Sequence, residues 1–377
     1  MKKKFVLLSS LVLVLILAAC AAPAPAPAPA PATAPSPAPA SAPKPTAPAP
    51  TVAPAPAAPV KPIELRLSNH DSLVGPGNRS CLAWAKKVEE VTKGGVKVTV
   101  YPASTLAPAT AAYDAAVSGV ADIVWGFIGF FPGRFLLSDL LSLPGLGVPS
   151  ALAGSLAMWN NYQKFPEMRA EYKDVKVLLV HTHQGAPIAT RKVAVRSLEN
   201  LKGLKIRSPA GGALEFLKAA GAVPIMFPPA DIYTSMEKGV IEGWTIDLIG
   251  AVGFRLGEVT DWYTRPYYYV GTFWLVMNQG TWNSLSPDIQ KAIEGISGET
   301  GIKTLFAPTW DAGDEEAKTK MGIKPQQVIT LSDQEWAKWV DVSKTVWKSE
   351  VAKLEAKGLP AQKVLDETLK FIKEYKP

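Results

Sequence analysis

The chain has 377 residues, 47% hydrophobic and 19% charged, which is enough for a buried core and for two domains rather than one. Its formal charge of +7 does not describe the larger part of the chain, because five lysines precede residue 63. The remaining 315 residues hold 35 basic and 33 acidic groups. These 315 residues, which we call the body, are nearly neutral, and this argues against nucleic-acid binding by phosphate neutralisation. Two cysteines, Cys20 and Cys81, rule out a disulfide scaffold or a cysteine-rich zinc module.

The first 20 residues have the pattern of a bacterial export signal. Three lysines at positions 2–4 precede an apolar stretch, residues 5–17, that is too short for an ordinary membrane span. The segment ends in Leu-Ala-Ala-Cys, which is typical of a lipoprotein box with Cys20 as the acylated residue. A plain secretory peptide with an incidental cysteine is the alternative. The pattern predicts a lipid anchor and an extracytoplasmic body.

Residues 21–62 have an unusual composition, with 16 prolines and 17 alanines among 42 residues. Such a segment lacks the large apolar side chains of a core, and proline fixes φ and removes hydrogen-bond donors. We therefore expect a disordered, extended, polyproline-like tether between the membrane and the body. Cys81 is then a lone thiol, which we expect to be buried as a small hydrophobic residue.

The body alternates between strand and helix patterns. Apolar residues at every second position predict strands, and apolar residues at helical spacing followed by glycine predict helices. The predicted strands cover residues 63–67, 96–100, 121–125, 175–180, 204–207 and 223–227, and the predicted helices cover residues 81–92, 109–118, 213–220 and 229–238. This order predicts an α/β fold with mostly parallel sheets and helices on both faces.

The last third of the chain has a different pattern. Residues 266–278 predict one long strand, or two in tandem, that could run from one lobe into another. A helix that begins with a proline in its first turn is expected over residues 286–303. A longer helix is expected over residues 332–358, opened by a capping box between Ser332 and Glu335. Its aromatic stripe indicates core packing rather than a ligand site.

The chain lacks the short motifs of common catalytic and cofactor sites. It has no His-Glu-x-x-His sequence, no P-loop, no complete dinucleotide fingerprint and no Gly-x-Ser-x-Gly elbow. His181 and His183 alternate at a strand end, but two imidazoles without a nearby cysteine make a poor zinc site. This inventory favours binding over catalysis and implies no cofactor, while it leaves open whether a metal ion assists binding.

Residues 197–207, Ser-Leu-Glu-Asn-Leu-Lys-Gly-Leu-Lys-Ile-Arg, open an ordered set of runs that points to one family. Further runs lie at residues 221–224, 229–233 and 238–243, and also at 94–102, 119–122, 277–278 and 282–287. Together they resemble the solute-binding proteins of tripartite ATP-independent periplasmic (TRAP) transporters over essentially residues 63–377. The resemblance implies a periplasmic-binding-protein fold of two α/β lobes with parallel or mixed sheets. The lobes are joined by crossing strands and a long helix, and they close on a ligand.

The resemblance also implies where the lobes and the ligand lie. We place the first lobe at residues 63–186 and 272–312, and the second at residues 187–271 and 313–377. In this family the arginine that ends the Gly-Leu-Lys-x-Arg run pairs with the carboxylate of the ligand, and here it is Arg207. The chemistry agrees, because ligands of open α/β sheets lie at strand ends and a guanidinium binds a carboxylate bidentately. A surface arginine in a salt bridge is the alternative.

The chain departs from the family pattern where many relatives read Asp-Gly-Gln-Glu-Asn. Here residues 242–247 read Glu-Gly-Trp-Thr-Ile-Asp, so Ile246 stands where an amide is expected. Some relatives also have a second arginine that faces the ligand, but this chain has no arginine at the corresponding residues 184–187. Fewer polar anchors suggest a monocarboxylate with an apolar or aromatic body. The further candidate ligand-binding residues are Trp244, Trp125, Phe127, Gln184, His70, Asn69 and Asp247.

Two of these candidate residues have an alternative role, and the predicted function also has alternatives. Trp244 could be packed core, and Asp247 could support Arg207 or a metal site. The main prediction is an extracytoplasmic, lipid-anchored protein that captures an organic acid by hinge closure and delivers it to the permease subunits of a TRAP transporter. The alternatives are a binding lipoprotein of an ATP-driven importer, a ligand sensor, and a hydrolase that uses Asp122 or Asp247 with a histidine.

Overall fold

The computed structural model describes residues 61–376, which contain eleven strands and fourteen α-helices. The strands are β1 (Ile63–Asn69), β2 (Val96–Tyr101), β3 (Ile123–Phe127), β4 (Val175–Thr182), β5 (Ala186–Thr190), β6 (Lys205–Arg207), β7 (Val223–Ile225), β8 (Gly243–Trp244), β9 (Trp262–Tyr269), β10 (Thr272–Asn278) and β11 (Val328–Thr330). The helices are α1 (Pro76–Val91), α2 (Ala112–Ser118), α3 (Ala151–Lys164), α4 (Pro166–Ala170), α5 (Gly212–Ala219), α6 (Ile232–Glu237), α7 (Leu248–Gly253), α8 (Gln279–Ser284), α9 (Pro287–Gly295), α10 (Gly298–Gly301), α11 (Ala307–Asp311), α12 (Gly313–Met321), α13 (Asp333–Glu355) and α14 (Ala361–Glu374). Within this part of the chain, no helix is both long and apolar enough to cross a bilayer.

The strands form two separate sheets, one in each lobe. The first has the order β2-β1-β3-β10-β4, in which β1 pairs in parallel with β2 and β3, and β10 pairs antiparallel with β3 and β4. The second has the order β11-β9-β5-β8-β6-β7, with β5 antiparallel to β8 and β9. Helices α1 and α3 pack against the first sheet, and α5 packs against the second.

Two short segments carry the chain between the sheets. Residues 183–185 lead from β4 to β5, and residues 270–271 lead from β9 to β10. The pairs Thr182–Thr272 and Ala186–Tyr269 flank these segments on either side, so the two crossings run next to each other. Two adjacent short crossings are the arrangement expected of a hinge between lobes.

The 23-residue helix α13 packs against the cores of both lobes. Near its start, the Trp339 ring lies 5.3 Å from the ring of Phe216 in the core of the second lobe. Farther along, Val346 and Leu354 join the core of the first lobe. The predicted core role of this stripe is confirmed. Half of the predicted capping box forms: Ser332 Oγ accepts from the Glu335 amide, but the Glu335 carboxylate accepts from the Leu198 amide instead.

The predicted two-lobed α/β fold is confirmed, and two details differ from what the local patterns predicted. The sheets are mixed rather than mostly parallel, because β5 and β10 follow directly after the crossings and reverse direction beside their neighbours. The helix expected to reach residue 303 ends at Gly295. The pattern at residues 266–278 is two strands in tandem, β9 and β10, which is one of the two arrangements predicted. Cys81 is fully buried, as expected.

The predicted lobe boundaries stay a prediction. The position of one helix, α14, differs from the predicted assignment to a lobe. Helix α14, which we placed with the second lobe, packs against α3 beside the first sheet. Asn161 of α3 donates to Thr368 Oγ1 of α14 at 2.7 Å. The predicted signal, with Cys20, and nearly all of the predicted tether lie outside the described residues.

Candidate functional site

A narrow cavity of about 40 Å³ lies between the two sheets, where strands of both lobes end. Because β1 and β3 are parallel and β10 is antiparallel to them, the ends of β1 and β3 and the start of β10 meet at one edge. The cavity is lined from both lobes, mostly by apolar and aromatic side chains: His70, Asp71, Pro76, Trp125, Phe127, Phe130, His183, Arg207, Pro229, Ile246, Asp247, Gly250, Phe254, Tyr269, Phe273 and Trp310.

Arg207, the last residue of β6, is a cation buried in this cavity with only 2% of its surface exposed. Its Nε donates to the Phe227 carbonyl at 2.9 Å, and its Nη1 donates to the Thr245 carbonyl at 3.2 Å. Its Nη2 has no hydrogen-bond partner among residues 61–376, and none of their carboxylates forms a salt bridge with it. Burial lowers the pKa of Arg207 to about 10, so the group remains charged at neutral pH.

Two more buried polar atoms near Arg207 lack partners within the described chain, namely Thr245 Oγ1 and His70 Nδ1. Burial, together with the charge of Arg207, lowers the pKa of His70 to about 3, so its ring is neutral. A buried donor without a partner costs about 1–3 kcal/mol, and more when it is charged. An anion beside Arg207 Nη2 would remove that cost, and a carboxylate has the acceptors to do so.

An aromatic stack forms one wall of the cavity. The Trp125 ring lies between His70, at 4.7 Å between ring centres, and Phe273, at 4.9 Å. Both neighbours are within 15° of parallel to the indole. Trp125 Nε1 donates to His181 Nε2 at 2.9 Å, which fixes the ring plane and places the His181 proton on Nδ1. Because His70 and Phe273 cover the faces of the indole, the three rings form a rigid aromatic wall, and such a wall suits a flat apolar ligand beside it.

Two carboxyl groups from opposite lobes lie at another part of the cavity. Asp71 accepts from the amides of Ser72 and Gly77, both at 2.8 Å, and so satisfies one amide in the first turn of α1. Asp247 caps α7 by accepting from the Gly250 amide at 2.8 Å. Burial raises the pKa of Asp71 to about 6. Burial, with the nearby charge of Asp71, raises the pKa of Asp247 to about 7.

The structure brings five of the eight predicted ligand-binding residues to this cavity: Arg207, Trp125, Phe127, His70 and Asp247. It does not bring Trp244 there, because that ring is fully buried in the second lobe, where its Nε1 donates to Thr260 Oγ1 at 2.8 Å. Asn69 lies behind the cavity, where its side chain bonds to Asn78 and to the Asp71 amide. Asp247 does not support Arg207, since no salt bridge joins them.

Gln184 lines a different and larger cavity of about 470 Å³ beside the crossing segments. The cation there, Arg265, already pairs with Asp314 at 3.2 Å, and Tyr267 donates to the same carboxylate. The smaller cavity is therefore the better candidate for an anionic ligand, because it holds a buried cation with an unused donor. Sequence reasoning did not select the cavity residues Asp71, Phe130, His183, Tyr269, Phe273 and Trp310.

The sequence profile of the DctP family, described as bacterial extracellular solute-binding protein, family 7, matches residues 76–354. The chain is also 32% identical over 224 residues to the outer membrane transporter protein TsaT of Comamonas testosteroni. That match covers 57% of this chain and 64% of TsaT, so it spans slightly less than two thirds of the length of that relative.

Solved structures of relatives share the fold. One is a TRAP solute-binding protein from a marine metagenome, specific for aromatic acid ligands and crystallised with 3-hydroxybenzoate; it is 26% identical, with 84% of this chain and 100% of that chain covered and a TM-score of 0.80. Another is a TRAP periplasmic solute-binding protein from Bordetella bronchiseptica with bound (R)- and (S)-mandelate; it is 26% identical, with 83% and 99% covered and a TM-score of 0.77.

The family profile covers more than half of the chain, and the structural agreement extends over the whole length of the marine protein. The chain therefore belongs to the DctP family of bacterial extracellular solute-binding proteins, and it is an extracytoplasmic solute-binding protein of the TRAP type.

Proposed function

We propose that the cavity at Arg207 binds an aromatic monocarboxylate, which the protein delivers to the membrane permease of a TRAP transporter. The observation that carries the proposal is the buried guanidinium whose Nη2 has no partner in the described chain. A ligand carboxylate would satisfy that donor, and the stack of His70, Trp125 and Phe273 would form the wall beside the ring. Phe127 would add a second aromatic wall.

The charges of the cavity favour one carboxylate on the ligand rather than two. Arg207 is the only Lys or Arg residue among the lining residues of the described chain, and Asp71 and Asp247 line the same space. A second carboxylate near these two groups would meet like charge in a site of low dielectric. The two crystallised relatives hold 3-hydroxybenzoate and mandelate, each with one carboxylate, in agreement with this chemistry.

The proposed mechanism is closure of the lobes on the ligand. Arg207 belongs to the second lobe, whereas His70 and Trp125 belong to the first, so a ligand that contacts all three favours the closed arrangement. The cavity of about 40 Å³ is narrow for a benzene ring. Entry therefore requires the lobes to separate at the crossings, and lining side chains to adjust around the ring.

A thermal-shift screen of the purified protein tests this function. We expect benzoate, hydroxybenzoates or mandelate, at about a hundred times Kd, to raise Tm by roughly 5 °C, because binding to the native state stabilises it by mass action. Succinate and sialic acid should leave Tm unchanged. The bound acid should be recovered unaltered, since we propose binding without turnover. A shift with succinate and none with any aromatic acid would contradict the proposal.

We also propose that the protein is held at the membrane by lipid on Cys20. The support is the lipoprotein box that ends at Cys20 and the proline-rich segment that follows it. Cell fractionation tests the anchor: the full chain should sediment with membranes, and a Cys20→Ser variant should not carry fatty acid. Equal incorporation of labelled palmitate by both proteins would contradict it.

A further inference from the structure

The polar groups of the cavity are divided into a cationic part and an acidic part. His70 lies close enough to Arg207 for the guanidinium charge to lower the pKa of the imidazole. Asp71 lies close enough to Asp247 for its charge to raise the pKa of that carboxyl. No salt bridge joins the two parts in the described chain. Both parts line the same cavity, so a ligand that fills it with its carboxylate at Arg207 would also reach a region that offers hydrogen-bond acceptors.

Asp247 has an oxygen available for such a ligand. Its Oδ1 accepts from the Gly250 amide, and its Oδ2 accepts no hydrogen bond from any side chain or amide of residues 61–376. The group is 4% exposed, and the helix cap fixes it in place, so it cannot turn outward to water without uncapping α7. Asp71 differs, because each of its oxygens already accepts an amide of its own loop and helix.

We propose that Asp247 selects aromatic acids that carry a hydroxyl group on the ring, by accepting a hydrogen bond from that hydroxyl at Oδ2. This inference rests on the proposed function and narrows its ligand class. The ring would lie beside the stack that contains Trp125, with its carboxylate at Arg207 and its hydroxyl at Asp247. The carboxylate would then accept a hydrogen bond from Arg207 Nη2, and the hydroxyl would donate one to Asp247 Oδ2.

A simpler account is that Asp247 only caps α7. Asparagine serves as an N-cap about as well as aspartate, because its side-chain oxygen can accept the same amide. The Asp247→Asn variant therefore keeps the cap and the shape of the side chain. It replaces the available acceptor in the cavity with an amide NH₂ donor. The two accounts thus differ in ligand preference, while both allow a folded protein.

The test is calorimetric titration of the full chain with benzoate, with 3- and 4-hydroxybenzoate, and with the corresponding fluorobenzoates, which lack the donor. The titrations are made at about pH 8.5, because Asp247, with a pKa raised to about 7, is then ionised. We expect at least one hydroxybenzoate to bind about tenfold more tightly than benzoate and its fluoro analogue, since hydrogen bonds to charged groups are strong. In Asp247→Asn that preference should fall below about threefold. The exposed Asp261→Asn variant is the matched control and should keep it.

The outcomes separate this inference from the proposed function. If benzoate binds but the hydroxy and fluoro acids bind equally to the wild-type protein, the hydroxyl is not recognised and the inference is overturned. If Asp247→Asn keeps the full preference, another group accepts the hydroxyl, and the inference is again overturned. If no aromatic acid binds at all, the proposed function fails together with the inference.

Discussion

The Arg207→Ala variant is expected to lose about 2–5 kcal/mol of binding free energy for an aromatic carboxylate, the range for removing one partner of a buried charge pair. The reason is that the bound carboxylate would remain buried with only neutral donors around it. The Arg207 side chain is itself 2% exposed, so little water can replace the lost guanidinium. Calorimetric titration of the wild-type protein and the variant gives the difference directly.

Two further variants make this result specific to the guanidinium. Arg207→Lys keeps a positive charge but loses the planar fork that held the Phe227 and Thr245 carbonyls, and we expect an intermediate loss of affinity. Lys205→Ala removes an exposed cation two residues earlier on β6, and we expect no change in affinity. Equal affinities of Arg207→Ala and wild type for every acid that binds would remove Arg207 from the site.

The Trp125→Ala variant is expected to lower the free energy of unfolding by about 3–5 kcal/mol, the usual cost of truncating a buried tryptophan. The ring packs between His70 and Phe273 and also against α1. A Cβ added at Gly77 of α1 would lie 2.4 Å from the Trp125 ring, so the ring packs directly against the helix at this glycine. Truncation of Trp125 would therefore leave a cavity beside α1. Urea unfolding of the purified protein measures the loss.

Trp125→Phe and Trp262→Ala are the controls for this effect. The phenylalanine variant keeps most of the stack but leaves His181 Nε2 without its donor, so we expect a loss of about 1–3 kcal/mol. Trp262 is only partly buried, so its truncation should cost less than half as much as that of Trp125. A loss below 1 kcal/mol for Trp125→Ala would show that the stack contributes little to the fold.

Local patterns predicted the elements that carry strong periodicity. The alternating run at residues 63–67 is β1, and the aromatic stripe is α13. Elements whose pattern is set by tertiary contacts were harder to predict. Strand β5 reads Ala-Pro-Ile-Ala-Thr, without apolar alternation, because all five residues are buried. The antiparallel direction of β10 depends on the crossings and has no local signal in its own sequence.

The residues of the candidate site could likewise be predicted only where a local pattern indicates them. Arg207 and Trp125 could be predicted because they lie at strand ends in recognisable runs, and the structure brings both to one cavity. Trp244 also lies in a recognisable run, yet its indole faces the core and bonds to Thr260. Which face of a two-residue strand points to the cavity depends on its neighbours in the sheet. Trp310 comes from a short helix of the last third, and nothing in its sequence indicates that it lines the cavity.

A crystal structure of the protein with a bound aromatic acid tests the central claim most directly. The account predicts the carboxylate within hydrogen-bond distance of Arg207 Nη2 and the ring beside Trp125, enclosed by both lobes. A ligand bound instead in the larger cavity at Gln184 and Tyr267, with Arg207 Nη2 making no contact to it, would contradict the account.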